Sequence, residues 1–287
     1  MTATTVPTVA AKSERRRRRW QGSALAGLVI LGALVLIAVL APWIAPHDPE
    51  AVNPAHILKP PSTTYWFGTD SLGRDVFSRV LFALRVSLLV AVSSVLLAAV
   101  VAIPLGALAG YFGGWVDTVI SRPLDMLLVL PALLLAITLI AVIGPGSAVA
   151  ALAIALIYLP ILARVMRGTS LSVSRLGYVE GATARGAGHL RTLGGHVVPN
   201  SVGPVVVQVA ILAGFALQIE AALSFLGLGA QPPTPSLGLM LADGRDVLTI
   251  APWVEIFPGV TLALAVLSFI LIGDGLRHRL DPQGMVR

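Results

Sequence analysis

Cysteine is absent from this chain. That excludes disulfides, thiolate metal sites and cysteine nucleophiles. Charge is scarce too: charged residues make up 12%, against roughly 25% in a soluble domain, so the exterior cannot face water everywhere. Enzymatic signatures are missing. No GxxxxGK(S/T) loop cradles nucleotide phosphates, no HExxH occurs, and no serine lies in a GxSxG context. His47 and His56 are not spaced with carboxylates as metal ligands, and His189 and His196 lie in a polar connecting segment. The basic residues are not interleaved with aromatics, which argues against nucleic acid as a partner.

What the chain does have is apolar surface. It is 56% hydrophobic, with a mean hydropathy of +0.87, so the bilayer is the solvent for most of it. Six continuous runs, at 23–44, 86–109, 119–142, 147–166, 203–226 and 254–276, are long enough to span as helices. They do not alternate as barrel strands would. The first run could be a signal peptide, but a signal core is about 7–15 residues. This run is longer, and no AxA-like site closes it before His47. It reads as an uncleaved transmembrane helix behind a basic tail, 1–22, whose first residues, 1–14, are expected to be disordered. Gly144, Pro145 and Gly146 predict a tight hairpin between the third and fourth spans. Pro104, Pro131 and Pro160 fall inside spans, where neighbouring helices can restore the broken backbone bonds.

Most of the twenty Lys and Arg residues share one side of this arrangement: Lys12, Arg15 to Arg19, Arg122, Arg164, Arg167, Arg175, Arg185, Arg191, Arg277, Arg279 and Arg287. Only Lys59, Arg74, Arg79, Arg85 and Arg245 fall opposite. The positive-inside rule then predicts both termini in the cytoplasm. The five adjacent arginines give the strongest topology signal and would also favour anionic lipid headgroups. The outside segments become 45–85, ahead of a core of 86–276, and 227–253 within that core, and a cytoplasmic tail follows at 277–287. Tyr65, Trp66 and Trp253 suit the aromatic belt.

The inside segment 167–202 is too long to be an idle connector. Val173 to Ala187 can form an amphipathic helix, with Val173, Leu176, Val179 and Thr183 on one face. Gly186 and Gly188 weaken it, Gly194 and Gly195 break the next stretch, and Pro199 ends the segment. It carries Glu180–Gly181–Ala182, then Arg185, Gly186 and Ala187, then His196 and Pro199. This resembles the EAA motif of ABC-importer permeases, with Gly181 where Ala is usual and Val198 where Leu is usual. A generic amphipathic connector on the membrane surface is the competing reading of the spacing alone.

Other stretches extend the resemblance from Ala45 to Gln283. Gly68, Thr69, Asp70, Gly73, Arg74, Asp75 and Arg79 form a GTDxxGRDxxSR pattern. It is similar to the signature of dipeptide/oligopeptide/nickel permeases, C-type membrane subunit. The stretch Gly110 to Asp117, the segments Leu223 to Gly229 and Gln231 to Ser236, and the run Gly273 to Pro282 follow in the family's order. Ile270 stands where Asn is usual and His278 where Asp is usual. The resemblance implies an all-α type I ABC-importer permease with six transmembrane helices, both termini inside and a cytoplasmic EAA coupling helix at the Glu180 segment. It implies a subunit of the bacterial cell (inner) membrane that imports short peptides, with nickel chelates as the alternative cargo. The implied partners are a homologous B-type permease, two ABC ATPases and an extracytoplasmic substrate-binding protein. ATP and Mg would lie on the ATPases, and this chain would hold no cofactor and perform no catalysis.

Two ionisable sets keep two readings each. Glu220, with Gln218, lies deep in the fifth span and either lines the translocation path or makes an interhelical hydrogen bond. Asp70, Arg74, Asp75 and Arg79 either orient a partner or substrate or form a salt-bridged cap on the second span. Asp125 and Asp274 lie near inner span ends, within reach of water or of Arg122 and Arg277. An ion-coupled secondary transporter would need midplane carboxylates and inverted repeats, and Glu220 is the one deep carboxylate. An intramembrane enzyme would need convergent His/Asp or Ser/Lys sets, which the spans lack.

Overall fold

A computed structural model describes the backbone of residues 9–280 and the side chains of residues 23–277. The arginine run 15–19, His278, and the terminal Asp281, Pro282 and Gln283 therefore lie outside the described side chains. Helices are the regular structure of the described residues, joined by irregular segments of which 45–75 is the longest, with one isolated β-bridge between Thr69 and Asp75. Among the described residues, five helices are long and apolar enough to cross a membrane, and a bent pair makes a sixth span if counted as one.

Helix α1 covers Val9–Ile44. It starts within the stretch expected to be disordered, because Ala10, Ala11 and Lys12 are strong helix formers joined to an apolar helix. Helix α2, Val76–Phe112, is longer than its apolar run. The Asp75 carboxylate caps it, accepting from the Ser78 N–H at 3.0 Å, so the polar turn at Ser78–Arg79 is helical too. Gly113, at φ 62°, ends it. Pro104 in α2 and Pro160 in α5, Ser147–Ser174, are carried inside continuous helices.

The third span is where the structure departs most from a straight helix. Helices α3, Gly114–Val129, and α4, Ala132–Ile143, meet at 96°. Leu130 is extended (φ −79°, ψ 133°), as the residue before a proline prefers. Pro131 thus breaks the span where a mere kink was expected. The α4–α5 hairpin matches expectation, with Gly144 at φ 113°.

Helices α2 and α5 form the broadest contact in the bundle. A Cβ on Gly106 would strike the Ala163 carbonyl, and one on Gly110 the Arg167 carbonyl, so the two backbones touch as small-residue stripes allow in membranes. Ser170 Oγ adds a 3.1 Å bond to the Ala107 carbonyl. Helix α8, Val198–Phe225, packs against α2, α5 and α10, Trp253–Leu280. Helix α1 lies outermost, mainly on α10. The short helix α9, Leu237–Arg245, crosses the end of α8 and α10 and is capped by Ser236 Oγ.

Candidate functional site

The elbow that follows α5 comprises α6, Gly177–Ala184, and α7, His189–Thr192, and continues through a π-helical turn, Leu193–Val197, directly into α8. The amphipathic helix expected over 173–187 is therefore split at Arg175–Leu176, where α5 ends and α6 begins. Gly194, Gly195 and Pro199 interrupt nothing. The two glycines keep helical backbone in the wider turn, and Pro199, at the start of α8, is carried within the continuous helical path.

Val179 and Ala182 turn inward, 2% and 4% exposed, while Leu176, expected on their face, is outside. Thr192, Leu193 and Val197 anchor the second half. Glu180, Arg185, Gly186, His196 and Pro199 face outward, and Gly181 and Ala187 are half-buried. The turn has a definite construction. Ala187 N–H bonds the Ala182 carbonyl at 3.1 Å, and Gly186 N–H bonds the Thr183 carbonyl at 2.9 Å. This is a Schellman closure, with Gly186 at φ 87° in the left-handed position that glycine occupies without strain. The elbow leans on the end of α2, where Tyr111 Oη lies 3.1 Å from His189 Nδ1. Between them is a pocket of about 290 Å³ lined by Phe112, Val179, Glu180 and Thr183. The arrangement is a braced, outward-facing knob with a small-residue underside.

Glu220 and Gln218 are not brought together. Glu220 is 1% exposed and accepts from Ser224 Oγ at 2.7 Å, with Ser87 of α2 as a second polar neighbour. Gln218 faces outward. Ser87 Oγ in turn accepts from the Leu237 N–H at 3.2 Å, so this buried polar group joins α2, α8 and α9.

The second polar cluster lies at the opposite end of the bundle. Arg74 Nε donates to Asp70 at 2.7 Å, and Arg79, 1% exposed, lies 3.5 Å from the same carboxylate. Both guanidinium groups also reach Asp243 of α9, at 3.5 and 3.8 Å. Burial pushes the Asp243 carboxyl above the ordinary carboxylate range, and Arg79 and Arg74 oppose that shift. The Phe67 ring stacks on Phe257 at 3.8 Å, and the half-buried Trp253 donates Nε1–H to the Thr69 carbonyl at 3.1 Å. Trp253 thus has an internal hydrogen bond beyond a belt position. The signature forms a cap, and it also clamps residues 45–75 to α9 and α10. Sequence alone missed Asp243, because nothing near it resembles a motif.

Two ion pairs between α3 and α5 were also unforeseen. Asp117 engages Arg167 through both oxygens at 2.5 Å, and Asp125 pairs with Arg164 at 2.6 Å rather than with Arg122. Among the described residues, no group of three or more His, Cys, Asp or Glu could hold a metal ion.

Residues 102–283 match the family described as the binding-protein-dependent transport system inner membrane component. Residues 15–61 match the N-terminal TM domain of oligopeptide transport permease C. The chain is 42% identical to the dipeptide transport system permease protein DppC of Alkalihalophilus pseudofirmus, over 91% of this chain and 86% of that protein. It is 43% identical to the glutathione transport system permease protein GsiD of Pectobacterium atrosepticum, over 94% and 89%. It is 42% identical to the di/tripeptide transport system permease protein DppC of Pseudomonas aeruginosa, over 91% and 88%.

Proposed function

This chain belongs to the family of binding-protein-dependent transport system inner membrane components, and from that premise we propose that it passes short peptides and is driven through its Glu180 elbow by ATPase subunits. It is a multi-pass permease subunit of a bacterial ABC importer, of the C type. Its relatives are permeases of dipeptide, di/tripeptide and glutathione systems, which supports short peptides as cargo.

In this reading both termini are cytoplasmic, as the Lys and Arg distribution favours. The chain forms half of the pathway beside a homologous B-type permease. Two ATPases sit beneath and hold the ATP and Mg, and an extracytoplasmic protein delivers the peptide. No chemistry occurs on this chain, which holds no cofactor of its own. When ATP closes the ATPase pair, the elbow moves with them and α8, continuous with it, shifts within the bundle.

The observation that carries this is the elbow's build. Val179, Ala182 and Val197 pack it inward while Glu180, Tyr178 and Leu190 stay exposed, and its last turn runs unbroken into α8. A load applied to Glu180 or Gly186 crosses the hydrogen-bonded turn at 185–188 and then runs along continuous helix into the bundle. The test is ATP-dependent peptide uptake by the complete importer in proteoliposomes. The Glu180→Lys, Gly186→Asp double variant should insert normally and hydrolyse ATP, yet lose uptake by about tenfold, as expected for a lost contact of about 1.4 kcal/mol. Wild-type uptake by that variant would refute the coupling role.

A further inference from the structure

We propose that the cavity between α2, α3 and α5 is a binding site for the charged ends of a short peptide, with Asp125 taking the ammonium group and Arg164 the carboxylate. The proposal rests on the peptide reading above and adds the place on this chain where the cargo would be held. The cavity measures about 230 Å³. Gly106, Ile120, Leu124 and Pro160 supply an apolar wall, Asp125 and Arg164 supply opposite charges, and Ser121 and Arg167, both engaged by Asp117, complete the polar lining.

The two ion pairs at this place are not alike. Asp117 uses both oxygens on Arg167 and takes a third bond from Ser121 Oγ at 2.7 Å. That pair is closed and holds α3 to α5. The Asp125–Arg164 pair is a single 2.6 Å contact. It engages one carboxylate oxygen and one guanidinium nitrogen, and both side chains are more than half exposed, 58% and 61%. An exposed pair of this kind contributes little to stability, so it exchanges readily with a ligand's own charges. These charges lie on helices that carry spanning stretches, and contact of a bare charge with hydrocarbon is costly. The face they occupy is therefore wet.

A free dipeptide always presents one ammonium and one carboxylate, whatever its side chains. A wet pocket with one open anion, one open cation and an apolar wall recognises that constant part and tolerates the variable part. The small volume limits it to short zwitterions. The weakness of the pair it replaces suits a site that must also release, since conduction requires binding weak enough to leave.

The cysteine-free sequence makes a direct test possible. Leu124→Cys places a single thiol of this chain in the cavity wall, and Arg245→Cys places one at the opposite end as a control. Each is assembled into the complete importer, labelled with a charged thiol reagent and read by mass spectrometry of this chain. Alanyl-alanine should slow labelling at position 124 and leave position 245 unchanged, whereas N-acetyl-alanyl-alanine amide should protect neither. Asp125→Asn and Arg164→Gln should each raise the half-protecting concentration about tenfold, the effect of losing one charge-assisted hydrogen bond. The Asp125→Arg, Arg164→Asp exchange keeps an ion pair and so guards against simple misfolding. Absent protection, equal protection by the capped peptide, or unchanged protection in the Asn and Gln variants overturns the site. Protection by phosphoethanolamine in place of alanyl-alanine assigns the pocket to a lipid headgroup and also overturns it. Uptake of alanyl-alanine by the same importer separates the two levels. Uptake without protection removes the site alone, while no peptide uptake at all removes the cargo reading as well.

Discussion

The Trp253 indole donates to the Thr69 carbonyl across 184 residues of sequence, at 3.1 Å. This bond joins the segment before α2 to the start of α10, and the ring occupies space that a side chain on Gly68 would enter, since a Cβ there would sit 2.6 Å from Trp253 Nε1. The Arg74 and Arg79 pairs to Asp243 reinforce the same joint.

Arg79→Met should therefore destabilise the solubilised protein strongly. It strands the Pro49 carbonyl that Arg79 bonds and leaves Arg74 alone to balance Asp70 and Asp243, a loss of about 1–3 kcal/mol. Thermal unfolding in detergent reads this, with Arg79→Lys expected between the variant and the wild type. An unchanged Tm for Arg79→Met would show that the clamp contributes nothing.

Asp243 predicts a pH signature. Its folded-state carboxyl is raised by burial, so the folded protein binds this proton more readily than the unfolded chain does. The corresponding stabilisation is present below the ordinary carboxylate range and is lost as pH rises through the raised value. Asp243→Asn should remove that part of the slope. The difference between wild-type and Asp243→Asn stability, followed from acid to neutral pH, should decline with rising pH, and a flat difference contradicts the shift.

The two elbow glycines should behave oppositely. Gly181 has ordinary helical backbone and room for a methyl group, whose nearest neighbour would be Arg185 Nη1 at 3.6 Å. Gly181→Ala should be tolerated and stabilise α6 by up to about 1 kcal/mol. Gly186 sits at φ 87°, where any side chain strains the backbone by about 1–2 kcal/mol. Gly186→Ala should lower uptake relative to ATP hydrolysis, and parallel uptake assays on the two variants check the contrast.

Crowding between α2 and α5 sets another expectation. Gly106→Val must displace the Ala163 carbonyl and the Met166 Cβ, the latter 2.8 Å from an added Cβ. Overpacking of this kind costs about 1–3 kcal/mol. A lowered Tm, with less monodisperse protein on size exclusion, is the expected result, whereas Gly168→Ala, which meets nothing within 4 Å, should leave both unchanged.

Glu220 offers a choice between its two readings. If its part is the interhelical contact to Ser87 of α2, beside the bond to Ser224 within α8, Glu220→Gln keeps a polar partner and should retain uptake, while Glu220→Leu strands both hydroxyls and costs about 1 kcal/mol. Uptake lost in Glu220→Gln at unchanged stability points instead to a role in the pathway.

Much of the fold was legible because hydrophobicity in a bilayer is a one-dimensional signal. The apolar run 23–44 had to become a helix, and Gly144 to Gly146 had to turn, since unpaired backbone groups are not tolerated in hydrocarbon. The polar segment around Glu180 was legible too, as an interruption between apolar runs. Hydropathy failed at the start of α2, where Ser78 and Arg79 look too polar to be helical until Asp75 caps them and Asp70 and Asp243 neutralise the charge. It failed again at Leu130–Pro131, where a proline can either kink a span or break it. Local sequence does not decide between these, because the outcome depends on how α3 and α4 dock on their neighbours.

The sequence by itself determined the class of the protein, the number of apolar runs and the segment that projects from them, because each follows from composition or short-range spacing. Only the tertiary structure decided which charges meet. Asp243 with Arg79, Asp125 with Arg164 and Tyr111 with His189 lie far apart along the chain. Their pairing depends on helix packing directions that no local pattern encodes.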